Sequence, residues 1–288
     1  MRGPLRYAVA CRRPDGGIEL KSGELPGRIY TSPLWAKPFL RGLVLLAETL
    51  HLGMAQLRWS ANLQLENKTG KSFSPRAMFF TTLISISMTI TIFLLLPHWI
   101  AAFIGHLTGQ SPVWFETPLR LAIAIGYLAG ISFLPNVRIL WRYHGAEHKT
   151  INAMEQGLAL TPANIRPMSL QHPRCGTGFF VLVLIIASLA FIALTPLHLN
   201  FFLAVLARIL IAPLVVTTSY ELMRWLAAHR SLPAASPLLS IMLSAQRLTT
   251  AEPTDAQLEC AIAALGAVLE PIASPQAALS PVPVLSAA

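Results

Sequence analysis

Apolar residues in this chain are concentrated in long blocks rather than spread evenly along it. A helix that crosses about 30 Å of hydrocarbon needs around 20 mostly apolar residues. Four blocks approach that length, and they cover residues 77–97, 119–134, 179–197 and 201–226. The second is the shortest, and only a few residues separate the third from the fourth, so we expect those two to form an antiparallel hairpin. The pattern predicts an all-α membrane bundle of about four transmembrane helices.

A fifth apolar stretch, residues 38–60, has a different pattern. Four ionisable residues interrupt it, namely Arg41, Glu48, His51 and Arg58. Burying such groups in lipid would be costly. The stretch therefore predicts an interfacial amphipathic helix, which lies on the membrane surface or packs on the bundle.

Two further elements flank the predicted bundle. Near the N-terminus, short runs with alternating apolar positions surround a turn at residues 14–17, a pattern typical of a β-hairpin. Near the C-terminus, residues 254–269 carry apolar residues at helical spacing, and Thr254 with Gln257 suits a capping box. The apolar face of this predicted C-terminal helix consists of Leu258, Ile262, Leu265 and Leu269.

These patterns together divide the chain into seven segments. In chain order they are an N-terminal β-hairpin region (1–36), the interfacial amphipathic helix (37–60), a first transmembrane pair (77–135), a polar segment with a His/Cys motif (136–177), a second transmembrane hairpin (178–226), a C-terminal region with a helix (227–270) and a Pro/Ala/Ser-rich tail that we expect to be disordered (271–288).

Composition and charge support the membrane interpretation and add an orientation. Of the 288 residues 54% are hydrophobic and 12% charged, about half the charge of an ordinary soluble domain. Basic residues precede the first block, lie between the second and third, and follow the fourth, whereas the other two connections have almost none. Lys and Arg accumulate in cytoplasmic loops, so we expect both termini and the His/Cys segment to be cytoplasmic.

The net charge of +9 has two explanations, nucleic acid binding or contact with anionic lipid. The chain's apolar blocks favour lipid as the partner, and we expect no nucleic acid. The three cysteines are far apart and odd in number, which excludes a disulfide framework.

The first half of the His/Cys segment concentrates side chains that can bind a metal. On a helix, His144, His148 and Glu155 lie on one face. Glu147 lies to one side of this face and Asn152 to the other. Imidazoles and carboxylates are ligands that zinc accepts. The spacing His-x-x-Glu-His is also that of the inverted zinc-peptidase motif, in which the glutamate is the general base.

The second half adds His172, Arg174 and Cys175, followed by Gly176 and Thr177. A glycine-containing turn that opens a helix exposes backbone N–H groups, which can hold an anion. We therefore expect His144 and His148 to bind a divalent metal, zinc in the first place, with His172 or Cys175. Glu147 would move protons, while Arg174, Gly176 and Thr177 would contact the anionic part of a substrate. The alternative is that these histidines are hydrogen-bonded interface residues without a metal.

Two charged residues fall inside the fourth block, Arg208 and Glu221. Their angular separation on a helix argues against a mutual ion pair, and intramembrane charges usually face the bundle interior. Glu221 is close enough to the cytoplasmic end to serve, like Glu155 and Asn152, as a further ligand or a supporting residue. The isolated His98 is interpreted as an interfacial or packing residue.

Several runs resemble the YqhQ family, a bacterial membrane family labelled as a predicted metal-dependent enzyme. The resemblance extends to about Leu269 and is carried mainly by the run Tyr143-His-Gly-Ala-Glu-His-Lys-Thr-Ile-Asn and the run His172-Pro-Arg-Cys-Gly-Thr. Shorter runs near Arg13, Glu221 and Gln246 add to it. The resemblance implies a bacterial cytoplasmic membrane protein in which His144, Glu147, His148, His172 and Cys175 form the site.

The chain departs from the family pattern in a few places. Members have a glycine-rich acidic segment before the Met-Arg-Gly-Pro run with which this chain begins, so we expect any N-terminal contribution to the site to be incomplete. Gly178 stands in place of Ser, and Ala251 in place of a basic residue. None of these changes removes a proposed ligand.

Three functions are compatible with these features. The first is a metal-dependent, hydrolytic membrane enzyme that acts on a lipid-linked or membrane-presented substrate. The second is a non-catalytic assembly or scaffold protein with a structural His/Cys cluster. The third, a transporter that uses Arg208 and Glu221, is disfavoured because no inverted repeat is evident. Neither the oligomeric state nor the substrate follows from the sequence.

Overall fold

The computed structural model describes residues 1–25, 32–69, 74–197 and 199–269. The predicted tail, 271–288, lies outside the described residues. The described part is mostly helical, with one small antiparallel sheet. In chain order the elements are β1 (Arg6–Arg12), β2 (Ile18–Glu24), α1 (Leu40–Thr69), α2 (Pro75–Ile90), α3 (Leu96–Thr108), α4 (Val113–Ile131), α5 (Pro135–Glu155), α6 (Pro162–Ile165), α7 (Gly176–Leu194), α8 (Phe201–Ala228), α9 (Ser236–Ala245) and α10 (Asp255–Leu269).

The predicted β-hairpin is confirmed. Strands β1 and β2 pair antiparallel, with Arg6 opposite Glu24 and Arg12 opposite Ile18. The turn uses Gly16 at φ 90°, a left-handed conformation that glycine adopts without steric cost. The Arg12 guanidinium donates to the Ala256 carbonyl of α10 at 2.7 Å, which ties the hairpin to the C-terminal helix.

Three helical stretches are long and apolar enough to cross a membrane: Phe79–Thr108, Gly176–Leu197 and Phe202–Ala228. The first runs from α2 through a π-helical turn, Thr91–Leu95, into α3. Our sequence boundary at Pro97 was therefore wrong. The proline does not end the helix because the looser π-turn before it accommodates a residue without an N–H group.

The second block differs most from its prediction. The helix α4 is not a span by itself and qualifies only together with α5, from which it is bent by 99°. It also begins at Val113 rather than near Leu119, and so contains Glu116 and Arg120. These two charges are one turn apart and form an ion pair, which allows the helix to continue where the sequence suggested a loop.

The helix α1 extends beyond the predicted 37–60 to Thr69. It lies against α8, where a Cβ added to Gly42 would be 3.2 Å from the Tyr220 side chain, so the two backbones approach closely. Gln64, past the predicted end, donates to the Arg12 carbonyl at 2.8 Å. The far side of α1 exposes Leu43, Leu50 and Leu57, as an amphipathic helix on an apolar surface would.

The predicted C-terminal helix is confirmed as α10. Its capping residue Gln257 accepts from the Thr254 backbone N–H at 2.7 Å. Leu258 is buried in a core with Ala146 and Ala153 of α5, whereas Leu269, in the last turn, is 54% exposed. α10 packs on the side of α5 that faces the β1–β2 hairpin, and this contact positions the His/Cys segment.

Candidate metal centre

Two imidazoles and a thiol converge where α5, the start of α7 and the segment after α9 meet. His144 and His148 lie one turn apart on α5, with ring centroids 4.4 Å apart. Cys175 is the N-cap of α7, and its Sγ lies 3.3 Å from Nε2 of His144. One ligand atom from each of the three residues lies within 4.8 Å of the other two.

Backbone carbonyls determine which ring nitrogen of each histidine is free. Nδ1 of His144 donates to the Thr249 carbonyl at 2.8 Å, and Nδ1 of His148 donates to the Leu170 carbonyl at 2.5 Å. A carbonyl only accepts, so Nδ1 carries the proton and Nε2 remains the ligand atom on both rings. This carbonyl support is the arrangement that metal-ligating histidines usually have.

Charge at the cluster favours an ionised thiol. Burial alone would raise the pKa of Cys175, but hydrogen bonds from His144 and His148 and their charge lower that pKa to about 5. Burial likewise lowers the pKa of His144, yet contact with Cys175 and with the Thr249 carbonyl raises it overall. The Thr177 backbone N–H donates to Sγ at 3.3 Å, so the helix N-terminus adds to the stabilisation of a thiolate.

His172 lies beside this cluster rather than in it. Its ring centroid is 5.9 Å from that of His148, and its Nε2 is 3.2 Å from Oε1 of Glu155. Burial lowers the pKa of His172 more than the Glu155 contact raises it. Arg174 also pairs with Glu155, so the acidic residue joins both halves of the motif.

The remaining predicted residues support the loop or the thiol. Asn152 donates to the carbonyls of Ser169 at 2.9 Å and Gln171 at 3.1 Å, which holds the chain that presents the Leu170 carbonyl. Gly176 is the first residue of α7. The Thr177 hydroxyl is 2.8 Å from that of Thr249, so both of its polar groups already have partners.

Two acidic residues lie elsewhere. Glu147 lines a cavity of about 130 Å³ between the hairpin and α10, with Tyr143 and Cys260, because it is on another side of α5 from the histidines. Glu221 is bound by the Arg41 guanidinium and by the Phe39 N–H at 3.2 Å. The expectation that Glu221 reaches the His cluster is corrected by this ion pair, which forms because α1 docks on α8.

Sequence reasoning missed the residues that fix the cluster from a distance. Gln246 is fully buried and forms two hydrogen bonds, each 2.9 Å, with the backbone N–H and carbonyl of His172. The Thr249 carbonyl three residues later orients His144. The sequence signal for these residues is the run from Gln246 to Thr250, which also carries part of the family resemblance.

A second polar cluster lies among the apolar helices and was also missed. Glu116 is 3% exposed and pairs with Arg120, with Arg208 at 2.9 Å and with Nδ1 of His98 at 2.9 Å. Arg208 and Glu221 thus have separate partners, in line with their angular separation. His98 is a member of an ion cluster, and its interpretation as an isolated packing residue was wrong.

The fold and the site define a class of protein, a helical protein with three to four long apolar helices and a His/Cys cluster at their polar end. The chain belongs to the YqhQ family: the model of a family described as "Protein of unknown function (DUF1385)" matches residues 37–271. The chain is 30% identical over 284 residues to "Uncharacterized protein YqhQ" of Bacillus subtilis (strain 168). The matched region covers 93% of this chain and 88% of that protein. No solved structure matches this chain.

Proposed function

We propose that this protein is a multi-pass protein of the bacterial cytoplasmic membrane with a zinc-dependent, hydrolytic site at the cytoplasmic interface. The observation that supports the proposal is the paired carbonyl contact at Nδ1 of His144 and of His148, together with ligand atoms of these histidines and Cys175 that lie within 4.8 Å of one another. Histidines that only form hydrogen bonds at an interface would not need ligand atoms that lie close to one another.

The donor set fits zinc. In a tetrahedral site with Zn–N of about 2.0 Å and Zn–S of about 2.3 Å, ligand atoms lie about 3.3–3.8 Å from one another. The 3.3 Å between Nε2 of His144 and Sγ of Cys175 already matches, and the remaining separations, within 4.8 Å, require a contraction of about 1 Å. A thiolate and two neutral imidazoles are the protonation states that zinc requires.

Three protein ligands favour catalysis over a structural role, because structural zinc sites usually have four. A zinc ion held by these residues would act as a Lewis acid and lower the pKa of water at its open position. Glu155 and His172, at 3.2 Å from each other and next to His148, are placed to accept and pass a proton. We assign this role to them instead of Glu147, which lines the other cavity.

The substrate class follows from where such a site would open. Arg174, Arg224 and Arg230 line a cavity of about 420 Å³ next to Glu155, at the predicted cytoplasmic end of α8. A basic cavity at the level of the headgroups suits an anionic, lipid-linked or membrane-presented substrate.

The second candidate is a scaffold protein with a structural cluster. Burial favours it, since His148 is 4% and Cys175 5% exposed, and closed zinc sites are buried in the same way. In that case His172 would be the fourth ligand.

Metal analysis of the purified full-length protein tests both candidates. Wild type should contain about one zinc per chain, and His148→Ala and Cys175→Ala should contain almost none. His51→Ala, which alters an exposed histidine of α1, is the matched control and should keep its zinc. Equal zinc content in all four proteins would refute the metal centre.

Coordination then distinguishes the enzyme from the scaffold. If the site is open, His172→Ala should retain zinc, and X-ray absorption should give two nitrogen ligands, one sulfur and one oxygen. Loss of zinc in His172→Ala, with a third nitrogen ligand in wild type, would favour the structural site and contradict the enzyme proposal.

A further inference from the structure

A cavity of about 170 Å³ lies at the end of the helix bundle opposite the His/Cys cluster. It is lined by residues from the start of α4, the end of α7 and the start of α8, among them Glu116, Phe191 and Arg208. Because α7 begins beside Cys175 and has 19 residues, about 28 Å of helix separates the two ends. The cavity is therefore a separate site.

Charge around this cavity is unbalanced. Glu116 and Arg208 line it together with His98, and the carboxylate of Glu116 pairs with His98 and with two guanidinium groups, that of Arg208 and that of Arg120 behind it. The side chains of Arg120 and Arg208 are 3% and 9% exposed, so one positive charge is left over in a buried environment. An uncompensated charge among apolar helices is costly, which favours the binding of an anion.

Hydrogen bonding at both arginines is incomplete. Within the described part of the chain, Nη1 of Arg120 and Nη1 of Arg208 are buried and have no hydrogen-bond partner. The Phe191 ring lies 4.8 Å from Cζ of Arg120 and 4.9 Å from Cζ of Arg208, so it covers guanidinium faces and leaves N–H edges available. Buried donors without partners cost free energy that a bound acceptor would offset.

Helix direction adds to the positive potential. The α4 and α8 helices, 19 and 28 residues long, both begin at this end, and Val113 and Ala204 from their first turns line the cavity. Helix N-termini carry partial positive charge that attracts anions.

We propose that this cavity binds a phosphate group, with Arg208 as its principal contact and Arg120 behind it. The planar guanidinium edge matches the oxygens of a phosphate, and the volume is many times that of one water molecule. Apolar side chains of Phe191, Leu194 and Leu199 surround the polar end of the cavity, which suits a phosphate that carries an acyl chain. The phosphate can belong to a lipid headgroup or be free, and the two sources are separated by experiment.

The test uses full-length protein, delipidated in a neutral detergent. Melting temperature is measured with phosphatidylglycerol, with phosphatidylcholine and with inorganic phosphate, and native mass spectrometry detects retained adducts. Phosphatidylglycerol should raise the melting temperature of wild type. Stabilisation by inorganic phosphate alone would identify free phosphate as the ligand, while stabilisation by the lipid alone would identify the headgroup.

Paired charge variants separate binding from folding. Arg208→Gln leaves Arg120 and Glu116 as a neutral pair, so ligand affinity should fall at least about tenfold, as expected for the loss of a charged hydrogen bond. Glu116→Gln leaves both positive charges and should keep or strengthen binding, although it disturbs the same cluster. Arg138→Gln, at an exposed position, should respond like wild type.

Two results would overturn the proposal. One is an Arg208→Gln protein that is stabilised by the ligand as strongly as wild type. The other is a wild-type protein that neither retains an adduct nor is stabilised by any of the three ligands, a readout that does not depend on the folding of a variant.

Discussion

Replacement of Gly145 by alanine should disturb the candidate metal centre without touching a ligand. Gly145 lies on α5 next to His144, and an added Cβ would be 2.2 Å from the Ala251 carbonyl oxygen and 2.8 Å from Cδ2 of Leu170. Ordinary contact begins near 3.4 Å, so the Ala251 backbone has to move by about 1 Å, the difference between the two. The same two segments carry the Thr249 and Leu170 carbonyls that orient His144 and His148.

The expected magnitude follows from this geometry. Overpacking costs about 1–3 kcal/mol, and a Cβ 2.2 Å from a backbone oxygen belongs in the upper half of that range. The better helix propensity of alanine offsets up to about 1 kcal/mol. The net loss of about 1–2 kcal/mol corresponds to a decrease of roughly 2–8 °C in melting temperature. Displacement of the supporting carbonyls should also weaken zinc binding by about 10- to 100-fold.

The assay compares Gly145→Ala with a matched glycine. For Gly266→Ala on α10, no described residue has an atom within 4 Å of the added Cβ, so this change should be neutral or slightly stabilising. Melting of the purified proteins and zinc competition against a chelator are measured for both. If Gly145→Ala melts and binds zinc like wild type, the close packing of α5 against residues 249–251 does not stabilise the metal centre, and the reasoning is wrong.

Three further predictions concern the surroundings of the cluster. Gln246→Ala should lower the melting temperature by roughly 4 °C or more, because two buried backbone groups of His172 lose their partner at about 1–3 kcal/mol each; an unchanged melting curve would contradict this. Glu221→Gln should keep the full zinc content while weakening the contact with Arg41, and loss of zinc would restore Glu221 as a ligand. Zinc affinity should decrease as the pH falls through the raised pKa of His144, because zinc must then displace a proton from the imidazole, and again near pH 5 as Cys175 becomes protonated. Calorimetry in buffers of different ionisation enthalpy measures the protons released on zinc binding. A pH-independent affinity would contradict the assignment of these ligands.

Local patterns were sufficient to predict the elements that depend on local physics. The hairpin follows from alternating residues around a glycine turn, and α10 follows from helical spacing and its cap. The long apolar helices follow from composition alone. Boundaries failed where a neighbour changes the cost of a residue. The π-turn before Pro97 lets a helix continue through a proline, and the ion pair with Arg120 lets Glu116 lie buried in an apolar helix.

The candidate site was only partly predictable for a similar reason. Helical spacing places His144 and His148 on one stripe of α5, and their proximity requires nothing else. The approach of Cys175 depends on how α7 leaves the loop, and the Thr249 carbonyl comes from a segment 105 residues away. Spacing also suggested Glu147 as a partner, but the docking of the hairpin and α10 on that side of the helix places it in a different cavity.

The hairpin of α7 and α8 explains why the described residues contain two polar clusters rather than one. Within Gly176–Leu197 an 18-residue window has a mean hydropathy of 2.7, and an interior of that kind can accommodate ionisable groups only where partners surround them. Cys175 at the beginning of α7 is satisfied by two histidines, and Arg208, near the start of α8, is satisfied in part by Glu116. Because a helix is stiff over about 28 Å, ligands at the two ends cannot touch, and any influence of one on the other would have to pass through movement of the hairpin as a whole. The two clusters therefore suit added ions of opposite charge. Nη1 of Arg208 is buried without an acceptor in the described part of the chain, which favours an anion, whereas a metal ion at the other cluster would take the place of the proton between Nε2 of His144 and Sγ of Cys175.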